Sequence, residues 1–219
     1  SQNLNYKFFP QPHFIIKDSI ILEDQNQISK IKKLKIYVSL KNLFSLKNVK
    51  VNNLILENAT FYLNNQNYNF FINLLDKNFI DSSFEIKDSN IFYTNVEKEV
   101  LFINKIINMK YFFDAKDLKN IAVSKNEIFN FPYSLELFNN KIEKKIFSKL
   151  NLNFLKMQIE NEIDYNDDIK KGSLSLIVNK KKSNASYELK QKNFIFNFFD
   201  KLNNPNFSYE GEFNFNPFY

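Results

Sequence analysis

One short frame recurs four times in this chain, and its spacing decides what kind of strand the chain can form. Residues 14–21 read FIIKDSII, 54–61 LILENATF, 84–91 FEIKDSNI and 121–128 IAVSKNEI. Apolar residues at i and i+2 share one face of an extended strand, a polar pair follows, and an apolar residue returns at i+7. A small residue stands at i+5 in Ser19, Ala59 and Ser89. Side chains alternate with a period of two, so an odd offset puts i+7 on the opposite face of an unbroken strand. A one-residue bulge at the polar pair restores the side, bends the strand and increases its twist. The frame therefore predicts strands that kink at a shared level, stacked into a long curved antiparallel sheet with one apolar face.

Period-two segments bounded by Asn, Asp and Lys clusters fill the rest of the sequence. Strands are expected over residues 13–23, 28–38, 47–63, 82–94, 99–113, 117–130, 132–139, 144–154, 156–165, 171–179, 184–190, 193–199 and 206–216. Two short helices interrupt them. One covers residues 39–45, with Ser39 as N-cap and Leu40, Leu43 and Phe44 on one face. The other covers residues 68–76, where Phe70, Phe71, Leu74 and Leu75 have helical spacing. With only Gly172 and Gly211 available, turns fall to Asn, Asp, Ser and Lys. An aromatic share of 17% without Trp supports strands, and 44% hydrophobic residues suffice for a core. The fold class is mainly β, a single domain over residues 1–219. A sub-boundary near residues 140–145 is the alternative to one continuous sheet.

Little in the sequence points to catalysis. His13 is the only histidine, so a His-based metal cluster cannot form, and beside Pro12 at a strand start it suits a turn or packing role. No G-x-S-x-G surrounds a serine, and two glycines cannot build a phosphate loop. Glu160, Glu162 and Asp164 alternate along a predicted strand, with Asp167 and Asp168 beyond. Without a Gly-centred calcium loop they read as a solvated face, so neither cofactor nor metal is expected. All 30 basic residues are lysine, and the net charge of +6 follows a bias toward Lys, Asn, Ile and Phe. That bias also explains the Lys–aromatic stretch at residues 190–199 more simply than nucleic-acid binding does. The absence of cysteine excludes disulfides without fixing a compartment. The longest apolar-rich runs, such as residues 194–199 with Asn197 among them, are too short to span a bilayer core of about 30 Å.

From Pro12-His13-Phe14-Ile15-Ile16-Lys17-Asp18 onward, the order of features resembles the start of the AsmA family of bacterial envelope proteins. A Pro precedes an alternating strand, and a second strand follows. Then come a short link and an "apolar-x-apolar-x-x-apolar" strand through Leu54, Leu56, Ala59 and Phe61. The similarity covers about residues 10–75; beyond it lie only the repeated strands and the closing residues 209–218. The resemblance implies a periplasmic protein held to the inner membrane by an anchor N-terminal to Ser1. It also implies a role in phospholipid transport between inner and outer membrane or in outer-membrane assembly, with other envelope proteins as partners. In such proteins a sheet curved into a groove shields acyl chains while headgroups stay in water.

Combining the resemblance with the repeat makes Phe14, Ile16, Leu54, Leu56, Phe84, Ile86, Ile121 and Val123 the expected groove lining. The same residues suit a closed core equally well. A structural or protein-interaction β-sandwich with no lipid ligand is the competing expectation, and an enzyme the weakest.

Overall fold

The computed structural model describes residues 4–23, 26–39, 50–64, 66–76, 82–95, 97–165, 169–190, 193–199 and 208–214. Nearly all of them are strand. In chain order these are β1 (Leu4–Lys7), β2 (His13–Glu23), β3 (Asn26–Val38), β4 (Val51–Leu63), β5 (Ser83–Thr94), β6 (Val100–Asp114), β7 (Lys119–Ile128), β8 (Phe131–Asn140), β9 (Lys145–Leu152), β10 (Met157–Asp164), β11 (Ile169–Val178), β12 (Lys181–Lys190), β13 (Asn193–Phe199) and β14 (Ser208–Asn214). Among the described residues one α-helix, α1 (Tyr68–Asp76), lies between β4 and β5, and a 3-10 turn, Asn153–Leu155, lies between β9 and β10.

The fourteen strands form one sheet in sequence order, not two facing sheets. The strand pattern and the helix at 68–76 are as expected. The proposed helix at residues 39–45 lies outside the described residues. Strand β1 was not anticipated. The sheet is mixed, because β4 and β5 run parallel. A parallel neighbour cannot be reached by a tight turn, so α1 and its flanking segments form the crossover. No break occurs near residues 140–145, where β8 and β9 pair from Ser134–Asn151 to Asn140–Lys145.

The kink predicted from the repeat is present in three of its four copies. Asp18, Asn58 and Asp88, each at i+4, have left-handed φ of 52°, 53° and 48°. Asp and Asn tolerate that conformation better than most residues. The ladder skips Asp18 with Lys32, Asn58 with Lys32, and Asp88 with Ile107, so five neighbouring strands carry their unpaired residue at one level. A register shift between Ile106 and Asn108 absorbs the extra residue against β7, which runs unbroken.

This row explains the small residue at i+5. The Ser89 hydroxyl, fully buried, accepts the Ala59 backbone N–H at 2.9 Å and donates to the Lys87 carbonyl at 2.7 Å. It thus satisfies a backbone donor exposed by the kink in β4. Replacing Ser89 with Ala strands that donor and is expected to cost about 1–3 kcal/mol, measured by urea unfolding.

The core lies on one face of β3–β7, where Ile31, Leu56, Ala59, Phe61, Phe84, Ile86, Ile106 and Tyr111 are buried together. Helix α1 covers part of it, its Phe71 ring meeting Phe61 edge-on at 6.0 Å. Reciprocal Asn bonds hold the chain as it leaves β4. The Asn64 side chain accepts from the Asn67 N–H and the Asn67 side chain from the Asn64 N–H, both at 3.0 Å. This is a capping box built from two asparagines.

Candidate functional site

Cross-strand register shows which residues share the core-side face. Leu54 lies beside Phe84, which pairs with Tyr111, and the row continues through Ala122, Leu137, Ser148, Asn161 and Leu174 to Ala185. The adjacent row holds Leu56, Ile86, Met109, Ser124, Leu135, Leu150, Ile159 and Leu176. Phe14 and Ile16 reach the same face through their pairing with Ile36 and Leu34.

Six of the eight expected lining residues therefore share a face. The other two are corrected. Ile121 pairs with Phe112 and Val123 with Lys110, on the opposite side, and Val123 is 37% exposed there. In the unbroken strand β7, Ala122 and Ser124 take the core-side positions.

The face differs along its length. In β4 and β5, Leu56, Phe84 and Ile86 are buried, with Leu56 only 2% exposed. Phe14, Ile16 and Leu54 are half-buried. From β8 to β12 the inward residues Leu135, Leu150, Ile159, Ile163 and Leu176 are half-buried, and Leu174 is 36% exposed. Among the described residues every strand belongs to the one sheet, so no second sheet faces this stretch, and α1 lies between β4 and β5. Sequence reasoning found these strands but took the lining from the repeat and so placed it nearer the N-terminus. The alternation in 132–139, 156–165 and 171–179 was the available signal.

Polar groups within the apolar face are tied together in a regular way. The hydroxyls of Tyr133, Tyr165 and Tyr187 donate to the side-chain oxygens of Asn104, Asn139 and Asn161 at 2.8, 3.1 and 2.7 Å. Each tyrosine reaches back over an intervening strand, from β8 to β6, from just past β10 to β8, and from β12 to β10. Tyr187 does so by lying across Gly172, where an added Cβ would stand 2.1 Å from its ring.

Burial pushes the Tyr133 phenol up to about 12, reinforced by charge repulsion from Tyr93 and opposed by the Asn104 hydrogen bond. Burial likewise raises Tyr93 and Tyr187. A phenol whose pKa is raised by folding contributes stability that is complete below its unfolded value. For Tyr133 that contribution is expected to be lost as pH rises from 10 to about 12. Unfolding midpoints and phenolate absorbance measured across this window test the loss.

The opposite face carries most of the charged side chains, with Ile15 and Ile55 buried among them on either side of Lys35. Glu57 is clamped by Lys33 at 3.0 Å and by Lys35. Burial alone would raise its pKa, but the two lysine hydrogen bonds outweigh it and hold the carboxyl below its ordinary range. Glu160 and Glu162 share this face with Asp164, facing Lys182 at 3.8 Å and Lys145 at 2.9 Å respectively. This is the arrangement of a solvated, lysine-balanced surface. His13 is buried, donating from Nδ1 to the Gln11 carbonyl at 2.7 Å and stacked on Tyr37 at 4.7 Å. Its ring is engaged in packing the start of β2.

No family model matches the chain, and no curated protein matches it.

Proposed function

We propose that this chain is a non-enzymatic envelope module that shields lipid acyl chains on the apolar face of β8–β12. The observation that carries the proposal is the half-buried strip itself, where Leu135, Leu150, Ile159, Ile163 and Leu176 keep partial exposure, Leu174 is 36% exposed, and no second sheet faces them among the described residues. Soluble monomers rarely leave contiguous apolar patches larger than a few hundred Å² without a use.

The dimensions suit the ligand. Five strands about 4.8 Å apart span about 19 Å. One leaflet of a roughly 30 Å hydrocarbon core is about 15 Å thick, the reach of an ordered acyl chain. Each CH₂ removed from water contributes about 0.8 kcal/mol, so affinity needs no headgroup code. On this reading, the resemblance of residues 10–75 to the AsmA family supports work in the periplasm, with the chain tethered to the inner membrane. Phospholipid transport between the membranes, or outer-membrane assembly, is the corresponding role.

Substitution of Leu174 with Asp tests the proposal, because its partial exposure lets a charge remain hydrated while interrupting the strip. The variant is expected to fold and to lose at least about tenfold in uptake of a fluorescent phospholipid from vesicles, the order of one buried leucine side chain. Undiminished uptake by the folded variant would remove this face from consideration and favour a structural β-domain.

A further inference from the structure

The edge of the sheet formed by the β7–β8, β9–β10 and β11–β12 turns combines apolar tips with a lysine-rich flank, where Glu127 beside Phe129 is engaged by Lys105 and Glu160 by Lys182. Phe129, at the β7–β8 turn, is 70% exposed. It has φ of 50°, followed by Asn130 at 65°, a pair of left-handed positions that ordinarily selects Asn and Gly. A bulky aromatic held there in water serves neither the turn nor the core. Phe131 stacks on Phe154 of the next turn at 4.8 Å and 8°, and both are exposed, as is Leu155.

Lysines stand beside these apolar tips. Lys156 follows Leu155, and Lys180 and Lys181 form and follow the β11–β12 turn. Residues 129–132, 153–156 and 179–182 contain no acid. Asn153, Lys156, Asn179 and Lys180 line an open cleft of about 480 Å³ between the last two turns. The other edge of the sheet also has exposed apolar residues at Leu118 and Ile142, but Asp114, Asp117 and Glu143 lie among its lysines.

We infer that the edge bearing Phe129, Phe154 and Leu155 docks on an anionic lipid bilayer. Aromatic and leucine side chains enter the interfacial region, where amphipathic proteins place such residues. Lys156, Lys180 and Lys181 meet the phosphate headgroups, each surface lysine adding to attraction for an anionic leaflet. This goes beyond acyl-chain shielding and stands independently of it, since a dry strip and a membrane-binding edge are compatible.

Co-sedimentation of the chain with vesicles tests the inference. Phosphatidylcholine vesicles containing phosphatidylglycerol are expected to bind it, with binding that weakens in high salt. Phosphatidylcholine alone is expected to bind much less. The double variant Phe129→Asn, Leu155→Ser should lose at least about tenfold in partitioning. Asn suits the left-handed turn position better than Phe, so folding should survive, as circular dichroism would verify. Replacing Lys156, Lys180 and Lys181 with Gln should lose about a hundredfold. Ile142→Ser at the other edge should change nothing. The inference is overturned if the chain does not bind the anionic vesicles, if either edge variant binds like the unaltered chain, or if Ile142→Ser alone abolishes binding.

Discussion

Leu56→Asp is expected to leave no cooperatively folded sheet at neutral pH. Leu56 lies at the centre of the covered part of the apolar face, beside Ile86 on β5 and opposite Leu34 on β3. No lysine in its row can pair with a carboxylate. The polar residues that could do so, Lys33 and Lys35, project from the other side, where they hold Glu57. Burying an unpaired carboxylate costs several kcal/mol. Domains are commonly stable by about 5–15 kcal/mol, so this one substitution consumes much or all of the margin. Loss of the near-ultraviolet dichroism and of a sharp urea transition would register it. A native transition near that of the unaltered protein would mean that the β3–β7 face is open to water. The contrast with Leu174→Asp matters, because the two leucines share a face and differ in cover.

The second large effect is expected at Gly172. Adding a methyl there puts carbon within 2.1 Å of the Tyr187 ring, so the ring must leave its place across β11. Gly172→Ala therefore breaks the Tyr187–Asn161 hydrogen bond and opens the strip between Ile163 and Leu174. The atoms met are the far end of a half-buried side chain that can swing aside, so the cost is chiefly the lost hydrogen bond and ring packing, about 1–2 kcal/mol. Tyr187→Phe keeps the ring and is expected to cost only the hydrogen bond, about 0.5–1.5 kcal/mol. The alanine variant carries a signature that general destabilisation lacks. Burial raises the Tyr187 phenol, so releasing the ring to water should bring its titration down toward the ordinary range while the chain remains folded. An unshifted alkaline titration with unchanged stability would show that the ring does not depend on the glycine.

Strand positions were legible because a sheet with one buried face writes a period of two into the sequence. The kinks were legible too, since Asp18, Asn58 and Asp88 combine a residue tolerant of left-handed backbone with a small neighbour at the next position. The fourth copy misled. Asn126 stands where Ser19, Ala59 and Ser89 stand in the others, and β7, lacking the kink, turns Ile121 and Val123 away from the core. Alternation also says nothing about strand direction, so the parallel β4–β5 pair was invisible, and β1 is too short to establish a pattern.

The candidate surface was only partly legible, for a different reason. Sequence reports which side chains share a face but not what covers them. Phe84 and Ile86 look like lining until their packing into the β3–β7 core is known, whereas Leu150 and Leu176 look like ordinary core until their partial exposure is seen. The tyrosine–asparagine steps could not be read at all. Their partners are separated by 26 to 29 residues and meet only because the register brings alternate strands to the right level.

The central proposal, that the β8–β12 face shields acyl chains, is tested most directly by native mass spectrometry of the protein purified from bacterial cells, with organic extraction of whatever accompanies it. Stoichiometric phospholipid, lost in the folded Leu174→Asp variant, is the predicted result. Protein that is free of lipid and takes up no fluorescent lipid from vesicles would contradict it.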